Sequence, residues 1–166
     1  KKINTSEFYQ KLVDLEPEII VVVAFGQKLP PKILNLPTYG CVNVHASLLP
    51  KYRGAAPIHS AIINGEEVTG VSTMFLSEGW DEGDVILQAP EAIRSTDTAG
   101  QLHDRLAIKG ATLLEETLAL IKSGRAEPQP QDHDLATYAP KLERKDGLID
   151  WELPADKLYD FVRGMN

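Results

Sequence analysis

The sequence has 166 residues, a net charge of −7, and 43% hydrophobic against 25% charged residues, the balance of an ordinary globular domain. That acidity argues against this chain gripping a nucleic-acid backbone by itself, although a partner domain could carry a basic surface. The single cysteine, Cys41, excludes an internal disulfide framework and a multi-thiolate metal site, and it favours a reducing, cytoplasmic setting. No apolar run approaches the roughly 20 residues that a membrane helix needs, so no membrane partner is expected.

In chain order, Asn4, Thr5 or Ser6 caps a helix over "NTSEFYQKLVDLEP", and Pro17 stops it. "EIIVVVAFG" is a continuous β-branched run of the kind found in strands buried on both faces of a parallel sheet. "PPKILNLP" reads as a short helix or turn, "GCVNVHAS" as a second strand, and "AAPIHSAIING" as a helix closed by Gly65. "GVSTMFL" and "GDVILQAPEAI" are two more strands, parted by an acidic, glycine-rich loop. "TAGQLHDRLAIKGATLLEETLALIKSG" is one long amphipathic helix with Gly124 just past its end. "RAEPQPQDHD" follows as a loop with little that could pack.

Strands alternating with helices imply an α/β layer architecture with a mostly parallel sheet. Neither a G-x-G-x-x-G turn nor a Walker A sequence is present, which removes the usual warrant for a nucleotide site. A sheet that begins at "EIIVVVAFG" would be half covered, so about two strand–helix units are expected upstream.

Residues two apart on a strand face the same way, so Asn43 and His45 share one face and Val42 and Val44 the other. At the C-terminal end of a sheet strand that face opens into the crevice where α/β proteins bind ligands. Two donors converging there describe a site for a carbonyl oxygen that becomes an oxyanion. The competing view is a core histidine satisfied by a backbone carbonyl, with Asn43 ending the strand. The next residues, "SLLPKYRG", read as a built loop. Pro50 and Gly54 flank an exposed Lys-Tyr-Arg, and Leu48 and Leu49 can wall a flat ligand. Asp81, between Gly79 and Gly83, could orient the His45 ring. It could equally be one acid of a solvated turn with Glu78, Glu82 and Asp84. The spacing fails the EF-hand pattern. His59, His103 and His133 lack ligand spacing, so no metal is expected.

Asn43, His45 and Asp81, joined by "SLLPKYRGAAPI" and "NGEEVTGVSTMFLSEGWDEGDVI", resemble the folate-dependent formyltransferases over nearly the whole chain. The resemblance implies a Rossmann-like formyltransferase domain whose N-terminal strand–helix units are missing. Residues 1–145 would be the catalytic domain's C-terminal portion, and 146–166 the lead into a further domain. It implies Asn43, His45 and Asp81 as the catalytic group. It also implies folate binding by Ser47, Leu48, Leu49 and Pro50, by Phe25, Gly26, Gln27 and Leu29, and by Ser77, Glu78, Gly79 and Trp80. Trp80 stands where the family more often has leucine. A cis Leu49–Pro50 bond is implied as well. "VVVAFGQKLP", "RGAAPIHSAIINGE" and "TYAPKLERKDGLIDW" are most similar to the members that formylate methionyl-tRNA.

The implied co-substrate is 10-formyltetrahydrofolate and the implied acceptor is initiator methionyl-tRNA, handled by a monomer without a metal. The alternatives are a sibling enzyme acting on a sugar-nucleotide or glycinamide ribonucleotide amine, a domain that binds or hydrolyses formyl-folate, and a half-domain that does not fold alone.

Overall fold

A computed structural model describes residue 3 and residues 5–166. Asn4, one of the three cap candidates, lies outside the described residues. Thr5 is the cap: its hydroxyl accepts from the Phe8 N–H at 3.2 Å at the start of helix α1 (Ser6–Asp14). Strand β1 (Ile20–Val23), the one-turn helix α2 (Pro31–Leu34) and strand β2 (Cys41–His45) follow. Next come the short strand β3 (Arg53–Gly54), helix α3 (Pro57–Ile63) and the paired strands β4 (Val68–Phe75) and β5 (Val85–Ala92). Helix α4 (Ala99–Lys122), the two-residue strand β6 (Tyr138–Ala139) and helix α5 (Ala155–Met165) complete the chain.

The α/β class stands, and the main sheet has the order β1-β2-β4-β5. Within the described residues that sheet is mixed, where a mostly parallel one was expected. β1 and β2 run parallel, whereas β2–β4 and β4–β5 are antiparallel. The short loop between β4 and β5 can only return the chain antiparallel, since a parallel partner needs a crossover of a dozen residues or more. Val21 and Val23 of β1 are 39% and 59% exposed, in keeping with the half-covered sheet expected of this chain. Among the described residues β1 pairs with β2 alone.

Helix α4 covers the face that carries Val42 and Val44. Its buried residues Leu102, Leu106, Gly110, Leu113, Thr117 and Ile121 recur every three or four positions, one stripe of a 3.6-residue helix. A Cβ on Gly110 would sit 3.2 Å from Val44 Cγ1, so the helix rides close on the sheet. Thr98 and Gln101 close its N-terminus in a reciprocal capping box, and Gly124, at φ +66°, turns the chain away beyond its C-terminus. With α4 on one face, the Asn43/His45 face is left to the loops.

Two smaller contacts complete the frame. β3 and β6 pair in parallel, Arg53 opposite Tyr138 and Gly54 opposite Ala139. That pairing ties the loop after β2 to a segment more than eighty residues later. Helix α5 lies against α3, where His59 Nδ1 donates to the Gly164 carbonyl at 2.7 Å. A Cβ on Gly164 would meet Ile63 Cγ1 at 2.6 Å, so only glycine allows this approach. Among the described residues no helix is long and apolar enough to cross a membrane.

The α4–β5 junction is locked by Arg105. Its guanidinium bonds both oxygens of the buried Asp97, at 2.9 and 2.6 Å, and Glu91 Oε1 at 2.9 Å. These hydrogen bonds hold the Asp97 and Glu91 carboxyls below their usual range, against the opposing effect of burial. Carboxyls with depressed folded-state pKa values add stability that is complete above their unfolded values near pH 4 and fades as pH falls through the folded ones. Arg105→Met should therefore cost about 3 kcal/mol at pH 7 by leaving Asp97 buried without its partner. Its deficit should shrink as pH drops below about 4. Thermal melts of both proteins across pH 3–7 check the magnitude and the sign.

Candidate active site

β2 is the most buried strand of the sheet, and its histidine is held by specific contacts. Asn43 is 8% and His45 6% exposed. His45 Nε2 lies 2.8 Å from the Tyr52 carbonyl. A carbonyl only accepts, so Nε2 carries the hydrogen and Nδ1 is the nitrogen left for other chemistry. Nδ1 faces Asp81 Oδ2 at 3.7 Å, an ion-pair distance rather than a hydrogen bond. Both sequence readings of His45 are therefore partly met: one ring nitrogen is satisfied by a backbone carbonyl, and the other is turned to the carboxylate.

The turn after β2 sets that carbonyl. Leu49–Pro50 is cis, as the resemblance implies, and Tyr52 has φ +59°. Ser72 on β4 braces the turn, since its hydroxyl donates to Ser47 O at 2.6 Å and accepts from Leu49 N at 3.1 Å. Tyr52 and Arg53, expected to be exposed, are 7% and 1% exposed. Each is buried because its polar end finds partners. The Tyr52 hydroxyl donates to Glu66 Oε1 at 2.8 Å and accepts from Asn64 Nδ2 at 3.1 Å. Burial raises the phenol above its usual pKa, so it stays a donor.

Asp81 adopts φ +54°, an uncommon backbone conformation for a residue with a side chain. It is gripped at both ends. Its Oδ2 accepts from the Gly54 N–H at 2.8 Å, and its carbonyl accepts from Gln131 Nε2 at 2.8 Å. Gly54 can make that approach only as glycine: φ is +111°, and a Cβ would lie 2.6 Å from Ala139 O. Asp81 is thus part of a built site, and the solvated-turn alternative fails for it. Among the other acids of the loop, the Glu82 carboxylate comes within 3.9 Å of the buried Arg53 guanidinium.

Asn43 and Asp81 line one cleft, between the segment after β1 and the loop after β4. Of the residues implied for folate, Phe25, Gln27, Leu29, Ser77, Gly79 and Trp80 line it too. Gly26 and Glu78 are not in its lining, although Glu78 contributes a carbonyl that accepts from Lys28 Nζ at 2.9 Å. Lys28 also lies 5.5 Å from the centre of the Trp80 ring, so one lysine bridges the two walls. The S-L-L-P segment is elsewhere. Leu49 and Pro50 line a separate depression against β5 and residues 129–132. Ser47 is fully buried, with its hydroxyl donating to Lys51 O at 2.6 Å, and Leu48 packs over Gly70. None of these four residues is in the lining of the cleft that holds Asn43 and Asp81.

Sequence reasoning missed Gln131 and the burial of Arg53. The nearest signal for Gly54 and Arg53 is that they close the proline-bounded loop. No local signal marks Gln131, which lies in the loop-like stretch "RAEPQPQDHD" and yet is only 8% exposed.

The family described as formyl transferase matches residues 1–118. A methionyl-tRNA formyltransferase of Halothermothrix orenii is 56% identical over 164 residues, covering 99% of this chain and 52% of that protein. The chain spans about half the length of the curated relatives it matches. An N-formyltransferase from Helicobacter canadensis, crystallised with folinic acid and dTDP-3-aminofucose, has a TM-score of 0.70 at 25% identity over 74% of this chain and 46% of its own. HypX from Aquifex aeolicus, in complex with tetrahydrofolic acid, shares the fold at a TM-score of 0.81 and 21% identity, over 95% of this chain and 28% of its own. The family match spans β1 to β5 and most of α4, and so includes every residue of the Asn43–His45–Asp81 cluster: the chain belongs to the formyl transferase family.

Proposed function

We propose that the protein carrying this chain moves a formyl group from 10-formyltetrahydrofolate to the α-amine of methionyl-tRNA, with Asn43, His45 and Asp81 as its catalytic residues. The observation that carries this reading is that Asn43 and Asp81 meet on one cleft, with His45 against Asp81, in a chain 56% identical to a methionyl-tRNA formyltransferase.

The chemistry follows from the groups present. The neutral amine attacks the formyl carbon, whose oxygen gains negative charge. The Asn43 amide can donate to that oxyanion, and His45 Nδ1, the nitrogen that Tyr52 leaves unused, faces the Asp81 carboxylate beside it. As the tetrahedral intermediate collapses, the C–N bond to the folate breaks. The amine's proton has to reach the departing nitrogen, and Asp81 is the carboxylate positioned to relay it. The products are the formylated amine and tetrahydrofolate.

Phe25, Leu29 and Trp80 give the cleft apolar and aromatic walls suited to a flat heterocycle such as the folate pterin. A formyltransferase acting on a sugar amine is the second reading, and its support is the Helicobacter enzyme at 25% identity against 56% for the tRNA enzyme. The net charge of −7 fits a division of labour in which basic surface outside this chain meets the tRNA phosphates.

Asn43→Ala and Asp81→Ala, made in the full-length protein, should each lower turnover by about 10² to 10³ while changing folate affinity little, because donors aimed at transition-state charge act on kcat. Steady-state kinetics with labelled formyl-folate, together with calorimetric folate titration, measure both. Near-normal turnover in either variant would sink the assignment. Offered methionyl-tRNA and a nucleotide-linked amino sugar separately, the wild-type protein should formylate the tRNA, and preference for the sugar would replace the first reading by the second.

A further inference from the structure

The segment after α4 has no part in the chemistry above, yet it reaches the back of the catalytic loop. The Gln131 side chain uses its whole hydrogen-bonding capacity there. Its Nε2 donates to Asp81 O at 2.8 Å and to Gly83 O at 2.7 Å. Its Oε1 accepts from Arg53 Nε at 3.1 Å and from Arg53 Nη2 at 2.8 Å. The orientation of this amide is not ambiguous. Carbonyls only accept and a guanidinium only donates, so a flipped amide would lose all four bonds.

Arg53 is itself fixed. It is 1% exposed, it lies on β3, and β3 is paired with β6. Its Nη1 makes a further contact with His133 Nδ1 at 3.3 Å, and Glu82 Oε1 lies 3.9 Å away. The residue after it, Gly54, gives its N–H to the Asp81 carboxylate. Asp81 is therefore located twice from β3, once directly at Oδ2 and once through Arg53 and Gln131 at its main chain. A carboxylate carried on a backbone with φ +54° has no helix or strand to hold it, so these two attachments decide where Oδ2 sits relative to His45.

We propose that Gln131, clamped by Arg53, is a positioning residue for Asp81: its amide holds the Asp81–Gly83 backbone in the conformation that aims the carboxylate at His45 and the cleft. This rests on the function proposed above. Gln131 is not in the lining of the cleft, and it lines instead the separate depression behind the loop.

Gln131→Glu is the selective test. It keeps the shape and both acceptors for Arg53 while removing the two N–H donors. Gln131→Met removes both sides and serves as a second variant should one of them fold poorly. In the full-length protein, formyl transfer to methionyl-tRNA is measured with each variant, folate affinity is measured calorimetrically with 5-formyltetrahydrofolate, and folding by thermal melt. A misplacement of about 1 Å in a reacting group costs on the order of 10²-fold. We expect kcat to fall tenfold to a hundredfold, with folate affinity within about threefold of wild type.

Both substitutions are then repeated in the Asp81→Ala background. A residue that acts only through Asp81 has nothing left to position there, so no further loss should appear. A full additional loss in that background, a kcat within about threefold of wild type in the Asp81-containing protein, or a loss that merely tracks unfolding and folate affinity would each overturn the proposal. The two levels of inference fail differently. A wild-type protein that transfers no formyl group, or an Asp81→Ala protein with normal turnover, refutes the catalytic assignment. Additivity between positions 81 and 131 refutes the positioning role alone.

Discussion

A guanidinium removed from water must have its donors met, and the burial of Arg53 organises most of the site around that requirement. Leaving a charged group unpaired in a protein interior costs several kcal/mol, so the fold has to bring acceptors to it. The acceptors come from far along the chain. Gln131 supplies both lone pairs of its amide oxygen, and Glu82 supplies charge from 3.9 Å. Once Gln131 is drawn in, its remaining donors fall on the Asp81 and Gly83 carbonyls. One buried cation thereby joins the loop after β2, the loop after β4 and the segment after α4.

The sheet and α4 make this arrangement rigid. β2 offers two faces of different character. Val42 and Val44 pack beneath α4, where a glycine in the helix lets it ride close, and Asn43 and His45 are consigned to the opposite side. A polar pair on a central strand is tolerable only if each group is satisfied, and His45 is satisfied by a carbonyl that Tyr52 presents from φ +59°. Tyr52 holds that conformation because its phenol is anchored to Glu66 and Asn64 and its N–H to Thr137 Oγ1 at 2.8 Å. Uncommon backbone conformations cluster here, at Tyr52, Gly54 and Asp81, and each is held by hydrogen bonds or close packing from a neighbouring segment.

The cleft is built on a different principle. Its walls are loops, from residues 25–29 and 76–81, joined by the contacts of Lys28 with Trp80 and with the Glu78 carbonyl. Trp80 remains 47% exposed, so an aromatic surface stays open to a ligand while the polar groups below it are already fixed. Flat apolar contact above and fixed polar atoms beneath is the division that the proposed formyl transfer calls for.

Sequence alone determined what local chemistry determines. The alternation of helices and strands, the turn glycines at Gly65 and Gly124, the shared face of Asn43 and His45 and the motifs of the formyltransferase family could all be read from short-range pattern. Such features depend on residues a few positions apart. Tertiary structure decided the rest: which way β4 runs beside β2, and that Arg53 is buried. It also decided that Gln131, in a stretch without periodicity, stands behind Asp81. The physical reason is the same in each case. Hydrogen-bond satisfaction of a buried group is a property of atoms that meet in space, and the partners here are 50 and 78 residues apart along the chain. No local pattern encodes that meeting.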